Sequence, residues 1–400
     1  MSEAKTDCIL VLNSGSSSIK YGLYPVDGGK RILRGLIERI GVGAQHRAED
    51  GSVTALPADT HAGALDWLLN MLSARGGFML IAAGHRVVHG GQDFDGPVRI
   101  NKDALAKIHA LAPLAPAHQP HNIAGIEAVA RNHPTLPQFA SFDTAFHRSQ
   151  PRLEQLYALP RHLLDDGVLR YGFHGLSYDF IAAQMPRVMG ERAAGKVAVL
   201  HLGNGASICG MVEGQSFATS MGFTALDGLM MGRRCGDMDP GVVFHLIRDR
   251  GLSVDEAEAL LGNQSGLMGV SGISSDMRDL LASDAAEAQE AVQLFILTAA
   301  KQLGAITAAM GGLDAMVFTG GIGENAAPVR AGIVRAMGWL GFELDEAAND
   351  AGAATITLPA QSAGQNTGQN AGQPPIKSAH VIATNEERVI ADQARTLLTG

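Results

Sequence analysis

The sequence is poor in several things, and each shortage excludes a class of protein. Three cysteines in 400 residues, Cys8, Cys209 and Cys235, are far apart and show no CxxC spacing. A disulfide scaffold and a zinc ribbon are therefore excluded, and reduced thiols in a cytoplasmic protein are expected. Charged residues are only 18% of the chain, and the basic ones are outnumbered 40 to 31, for a formal charge of -9. A general nucleic-acid binder would favour a basic face, so no nucleic-acid partner is expected. The opening "MSEAKTDCILVLN" has acidic residues and no long apolar core, so it does not read as a secretory signal. No apolar run nears the roughly 20 residues of a bilayer span, and no membrane partner is expected.

What remains is a chain 46% hydrophobic, ordinary for a globular enzyme and longer than one core usually supports. Two domains are expected. One stretch, "AQSAGQNTGQNAGQPP" at 360–375, is low-complexity and reads as a mobile surface loop. After it, Val381 and Ile382 read as a last strand, and a helix begins at Glu386, capped by Thr384 or Asn385.

The most informative stretch is "ILVLNSGSSSIKYGLY", Ile9 to Tyr24. A buried-looking strand runs into Asn, Gly and four Ser, then resumes with Ile19, Tyr21 and Leu23 in alternation. A plain hairpin would close on Asn-Gly or Asp-Gly alone. The extra hydroxyls suit a turn that offers N–H and O–H groups to an oxyanion, with Lys20 as a nearby positive charge. A serine-rich surface turn is the alternative. The pattern recurs as "VAVLHLGNGASICGMV", Val197 to Val212. Val11-Leu12 matches Val199-Leu200, Gly15 matches Gly203, and with a one-residue gap Ser18-Ile19 matches Ser207-Ile208. Two copies half a chain apart point to duplicated domains and favour phosphate binding over a structural turn. A third glycine-rich element, "MVFTGGIGENAAPVR", reads as a strand over Ala315–Thr319, a turn, and a helix from about Asn325 or Pro328. It has neither the GxxxxGK[ST] nor the GxGxxG spacing.

Taken together these motifs resemble the acetate kinase family, within the superfamily of acetate and sugar kinases, heat-shock chaperones and actin. The resemblance runs nearly end to end. It is carried by "NSGSSSIKY" (13–21), "GHRVVHGG" (84–91), "FDTAFH" (142–147) and "RYGFHGLS" (170–177). Further along come "HLGNGAS" (201–207), "TSMGFTALDGLMMGRRCGDMDP" (219–240), "SSDMRD" (274–279), "GGIGEN" (320–325) and "TNEE" (384–387). It implies an α/β fold of two duplicated actin-like (ribonuclease H-like) domains with a cleft between them. Residues 1–150 plus the terminal helix 385–400 would form the first domain and 151–384 the nucleotide-binding second. It also implies reversible phosphoryl transfer between ATP and acetate, giving acetyl phosphate and ADP by direct in-line attack. ATP/ADP and Mg2+ would be the cofactors, with Mn2+ able to substitute, and members are usually homodimers.

The chemistry sets what the residues must do. A carboxylate attacking the γ-phosphate meets like-charge repulsion, and a loose transition state needs positioning and neutralisation more than covalent help. By resemblance Arg86 orients the carboxylate and Arg234 stabilises the transition state, each with a structural ion pair as the alternative. Arg233 departs from the small polar residue usual in the family. His174 matches the histidine that bonds the transferring phosphoryl group; a satisfied core histidine is the alternative. Lys20 and the run His201, Leu202, Gly203, Asn204 and Gly205 would line the phosphates. Asp276, Met277 and Arg278, with Gly321, Ile322, Gly323, Glu324 and Asn325, would hold the adenosine. Asn13 and Glu386 stand at the metal positions, which suits a hard cation that keeps most of its waters. Asp143 stands at a proton-transfer position, yet a substrate carboxylate is already ionised at neutral pH, so positioning is its expected role. The other histidines, including His85, His89, His109, His133 and His147, read as structural.

The substrate methyl pocket departs from the family. Val88 and Phe173 are retained, but Ala225 replaces the usual Pro, and Ala117 replaces Leu unless Leu114 serves under another register. A larger pocket would let propionate or butyrate compete, because one methylene is worth only about 1–3 kcal/mol. A kinase of those acids is the first rival, and refilling by neighbours is the neutral reading. A chaperone-like or filament-forming ATPase is the second rival. It would need a client domain or long insertions that this chain lacks, and has no use for the arginine pair.

Overall fold

The structure is a computed structural model that describes residues 5–358 and 377–399. The low-complexity stretch 360–375 lies outside the described residues. The chain divides into two compact units, Met1–Arg148 with Asn385–Gly400, and Ser149–Thr384.

In the first unit eight strands form one sheet. They are β1 (Thr6–Ser14), β2 (Ile19–Pro25), β3 (Leu33–Glu38), β4 (Gln45–Ala48), β5 (Val53–Ala55), β6 (Phe78–Val87), β7 (Val98–Arg99) and β8 (Gln138–Phe142). Their order is β5-β4-β3-β2-β1-β6-β8-β7. The strand β1 is apolar on both faces, Cys8 to Leu12 all being buried, because helices cover both sides of a central strand. The helix His61–Arg75 buries Ala64, Leu65, Leu68, Leu69 and Leu72, one stripe at helical spacing. Thr60 caps it by accepting from Gly63 N. That stripe shares a core with Leu10, Leu12, Ile19 and Leu23 of the sheet and with Ala128 and Val129 of the helix Gln119–Asn132. The last helix, Glu386–Thr399, returns to this unit and packs on β1, β6 and β8 through Val389, Ile390, Ala391 and Ala394. Its N-cap is Asn385, whose Oδ1 accepts from Arg388 N at 3.1 Å. Close packing there depends on Gly84, where a Cβ would stand 2.7 Å from Ile390 Cγ2.

The second unit has five strands, β9 (Lys196–Leu202), β10 (Ala206–Val212), β11 (Gln215–Thr219), β12 (Ala315–Thr319) and β13 (Ser378–Val381), ordered β11-β10-β9-β12-β13. Here β9–β10–β11 are antiparallel neighbours while β12 and β13 run parallel to β9 on its other side. The run β3-β2-β1-β6-β8 has the same order and directions. The duplication expected from two hairpins is thus a duplication of whole sheets.

Pairing corrects the alignment of the two copies. Ser14 pairs with Ile19 across a four-residue turn (15–18), and Leu202 with Ala206 across a three-residue turn (203–205). Leu12 faces Tyr21 and Leu200 faces Ile208, so Ile208 corresponds to Tyr21, two residues beyond Ile19. A slip of two keeps the same sheet face, which is why the apolar pattern could not reveal it. The strand at β13 also starts earlier than Val381.

One long helix, Ala286–Met310, is apolar and long enough to cross a membrane by length and composition. Its buried residues, among them Ala288, Ala291, Phe295, Ala299, Leu303 and Ile306, recur every three or four positions and pack on β9, β10 and β11. That is the pattern of a helix laid on a sheet.

Candidate active site

Each unit gathers its own cluster of the residues singled out by sequence. In the first, Arg86 near the end of β6 is the organiser. Its Nε donates to Asp143 Oδ1 at 2.9 Å, its Nη2 to Asp143 Oδ2 at 2.5 Å, and its Nη1 to Asn13 Oδ1 at 3.1 Å. Three of the guanidinium's five N–H groups are so engaged, leaving one on each Nη for a further acceptor. Asp143 is 2% exposed and the Arg86 side chain 20%. Burial opposes the Arg86 charge, but Asp143 overrides it and lifts the guanidinium pKa above its ordinary value, with Glu386 acting in the same sense. Lys20 is the cross-strand partner of Asn13, so both side chains leave the same sheet face. Glu386 opens the terminal helix.

Behind this cluster lies a residue whose role sequence did not give. Asn122 is buried; its Oδ1 accepts from Val88 N at 2.9 Å and its Nδ2 donates to Ser14 O at 2.7 Å. It ties the end of β6 to the first hairpin. Val88 itself is buried, whereas Ala117 is exposed on the turn before the same helix. Leu114 packs against the cluster of Val87, Ile108 and Phe142. His85 and His89 are buried, and burial pushes both down to about 4, so they are neutral. His85 Nε2 meets Gln138 Oε1 at 2.7 Å, and His89 Nδ1 accepts from Gly91 N at 2.9 Å, which is structural duty.

In the second unit the hairpin tip 203–205 is the centre. His174 precedes the helix Gly175–Met189 with φ 59°, a left-handed conformation costly for a non-glycine residue and concentrated at functional sites. Its Nδ1 lies 2.8 Å from Ser207 Oγ, and its ring stacks on His201 with centroids 4.4 Å apart. Phe173 beside it is buried. A Cβ on Gly205 would stand 3.2 Å from His174 Nε2 and 3.5 Å from Arg234 Nη2, so all three lie together. Arg234 Nη1 donates to Ala225 O at 2.7 Å, fixing the half-buried Ala225 beside it, while Arg233 is exposed. Gly232 N donates to Asn204 O at 3.0 Å, and a Cβ at Gly232 would collide with Asn204 Oδ1. Leu202 is buried at the end of β9.

The glycine-rich element differs from its expected form. Rather than a turn leading to a helix near Asn325, Gly320–Asn325 is itself a short helix starting directly from β12, followed by a second over Ala327–Ala336. Gly320 has φ +78° and a Cβ there would meet Leu202 O at 2.7 Å. Gly321 is exposed, its N within 3.9 Å of a Cβ placed on Gly203. Glu324 Oε1 accepts from Gly320 N at 3.0 Å and from Thr384 N at 3.1 Å, while Asn325 Nδ2 donates to Gly321 O. Ile322 is half-buried and Gly323 buried. The buried Arg330 holds the other end of this helix, donating to Gly323 O and Glu324 O as well as to Asn349. Asp276 caps the helix Met277–Leu281 and pairs with Arg278, whose hydrogen bonds hold the Asp276 carboxyl down to about 2. Met277 is buried and Arg278 exposed. The carbonyl of Ser275 lies next to Gly232 and so beside the hairpin tip.

Among the described residues no group of three His, Cys, Asp or Glu is placed to hold a metal. The oxygens of Asn13 and Glu386 fit a hard cation bound mainly by water and ligand phosphates.

Known proteins give a consistent picture. A model of the "Acetokinase family" matches residues 8–392. An acetate kinase of Rhodopseudomonas palustris is 47% identical over 99% of both chains, and one of Methylocella silvestris is 43% identical over 98% of both. Among solved structures, a propionate kinase from Francisella tularensis superposes with a TM-score of 0.89 at 37% identity, covering 98% of this chain and 100% of that one. An acetate kinase of Porphyromonas gingivalis gives 0.87 at 34%, with the same coverage. With the motifs in order along the whole length, the chain belongs to the Acetokinase family.

Proposed function

We propose that this enzyme moves the γ-phosphoryl group of ATP to acetate, reversibly and by direct in-line attack, yielding acetyl phosphate and ADP. The observation that carries the reading is Arg86, locked by Asp143 and Asn13 with one N–H on each Nη left to receive an oxyanion. Arg86 orients the acetate carboxylate, and Val88, Phe173, Ala225 and Ala117 are the residues assigned to its methyl group. Arg234 and His174 neutralise and bond the transferring group, where charge spreads over its equatorial oxygens. Lys20 and the tip 201–205 hold the phosphates; 276–278 and 321–325 hold the nucleoside. Asn13 and Glu386 would hold Mg2+, which would supply positive charge to offset that of the phosphates. Asp143 aligns Arg86 and takes no proton, since acetate arrives ionised.

The protein acts in the cytoplasm as a homodimer. Cys8, Cys209 and Cys235 are not joined in disulfides, which suits that compartment. The helix Pro240–Arg248 carries Val242, Val243, Phe244, Leu246 and Ile247 with no residue buried, an apolar face that a second copy would cover. A second reading, a kinase of propionate, is favoured by the small side chains at 117 and 225 and by the similarity to a solved propionate kinase. Trapping of acyl phosphate by hydroxylamine, with acetate, propionate and butyrate, tests both. Product should need carboxylate, ATP and Mg2+ together and fall sharply in Arg86→Ala. ATP hydrolysis without acyl hydroxamate would refute the reading, and a preference for propionate would select the second.

A further inference from the structure

The stacked pair His174 and His201 is backed by two different hydroxyl chains. Ser177 Oγ donates to Thr384 Oγ1 at 2.9 Å, so its proton is committed there. His201 Nδ1, 2.8 Å from Ser177 Oγ, must then supply the proton for that contact. His174 Nδ1 meets Ser207 Oγ at 2.8 Å, and Tyr178 OH lies 2.5 Å from the same oxygen. Tyr178 and Ser207 are both completely buried. Burial raises the Tyr178 pKa well above its ordinary value, so the phenol keeps its proton. A phenol is a stronger acid than an alkyl alcohol and a poorer acceptor, its lone pair being shared with the ring. The proton order is therefore Tyr178 to Ser207 and Ser207 to His174 Nδ1, which leaves the proton of a neutral His174 on Nε2, the nitrogen turned toward Gly205 and Arg234.

We propose that Ser207 and Tyr178 are positioning residues that hold His174 as an Nε2–H donor, and that His174 and His201 are kept in opposite tautomers. The proposal rests on the reading of His174 as the donor to the transferring phosphoryl group and adds what sets that donor. A ring with the wrong tautomer would aim a lone pair at developing negative charge and so raise the barrier. The left-handed backbone at His174 and the helix behind it fix the ring's direction; the two hydroxyls fix its proton.

The test uses the whole protein labelled with 15N-histidine, observed with ADP and Mg2+ bound, and peaks assigned with His174→Ala and His201→Ala. The proton-free nitrogen should be Nδ1 in His174 and Nε2 in His201. In Ser207→Ala and in the milder Tyr178→Phe, His174 should shift toward a tautomer mixture. Their kcat should fall roughly 10- to 100-fold and about 3- to 10-fold respectively, with KM for ATP and acetate little changed. Placed in a His174→Ala background, neither should lower kcat further. Matching tautomers in the wild type, or an undiminished Ser207→Ala loss without His174, would overturn the proposal. If His174→Ala alone left kcat within about twofold, the donor reading itself would fall, even with opposite tautomers observed.

Discussion

Replacing Asp143 by Asn separates alignment from proton transfer. Asp143 faces Arg86 through two charge-assisted hydrogen bonds of 2.9 and 2.5 Å, at a carboxylate 2% exposed. Asn keeps one acceptor and turns an NH2 toward the second N–H, so one such bond is lost, about 1.5–3 kcal/mol. The guanidinium also loses its counter-charge; breaking a buried pair outright costs about 3–5 kcal/mol. With one bond surviving, a loss of about 3 kcal/mol in stability is expected. If Arg86 loosens to the same degree in the transition state, kcat/KM falls roughly 150-fold at 1.36 kcal/mol per decade. Denaturant midpoints give the first quantity, and hydroxamate trapping from pH 5.5 to 8.5 gives the second. The two pH profiles should be parallel. A wild-type acid limb that vanishes in Asp143→Asn, with the denaturation midpoint unmoved, would show that Asp143 takes a proton.

Arg330→Met should cost about 3–5 kcal/mol and raise KM for ATP, because the carbonyls of Gly323, Glu324 and Asn349 lose a donor inside the fold; calorimetry with ATP titration checks both. Burial, then the hydrogen bond and charge of Asp227, raise the Asp237 pKa to about 7 from 3.8. The folded protein thus holds a proton the unfolded chain has released, and this contribution to stability is complete below 3.8 and lost as pH rises through about 7. Melting temperature should drop between pH 5.5 and 8, and the drop should shrink in Asp237→Asn. Under the proposed function, Ala225→Pro should raise the preference for acetate over propionate roughly tenfold, read as a ratio of kcat/KM.

Local pattern disclosed a good part of this architecture, and non-local burial hid the remainder. Both hairpins were visible because strands of continuous apolar residues break at Gly15 and Gly203, and strand β12 was legible from Ala315 to Thr319. The shared strand order then followed from duplication. The register between copies was not visible, since a two-residue slip preserves the face that hydrophobicity reports. Nor was the helix at Gly320–Asn325, because glycine opposes helix formation; Glu324 at one end and Arg330 at the other override that preference. The partners behind His174 come from a helix and a strand 4 and 33 residues away, at Tyr178 and Ser207, and no spacing rule links them. Asn122 is similar: an Asn in a helix reads as solvent-facing until the strand ends it joins are in place.

The proposed function has Arg86 and Arg234 serving one phosphoryl transfer. A double-mutant cycle on acyl-phosphate formation by wild type, Arg86→Ala, Arg234→Ala and the double variant measures it most directly. Each single change should lower kcat at least about 100-fold, and the double variant should lose far less than the product of the two, as for groups that act together. Losses that simply multiply, or a single variant with near-native kcat, would contradict the account.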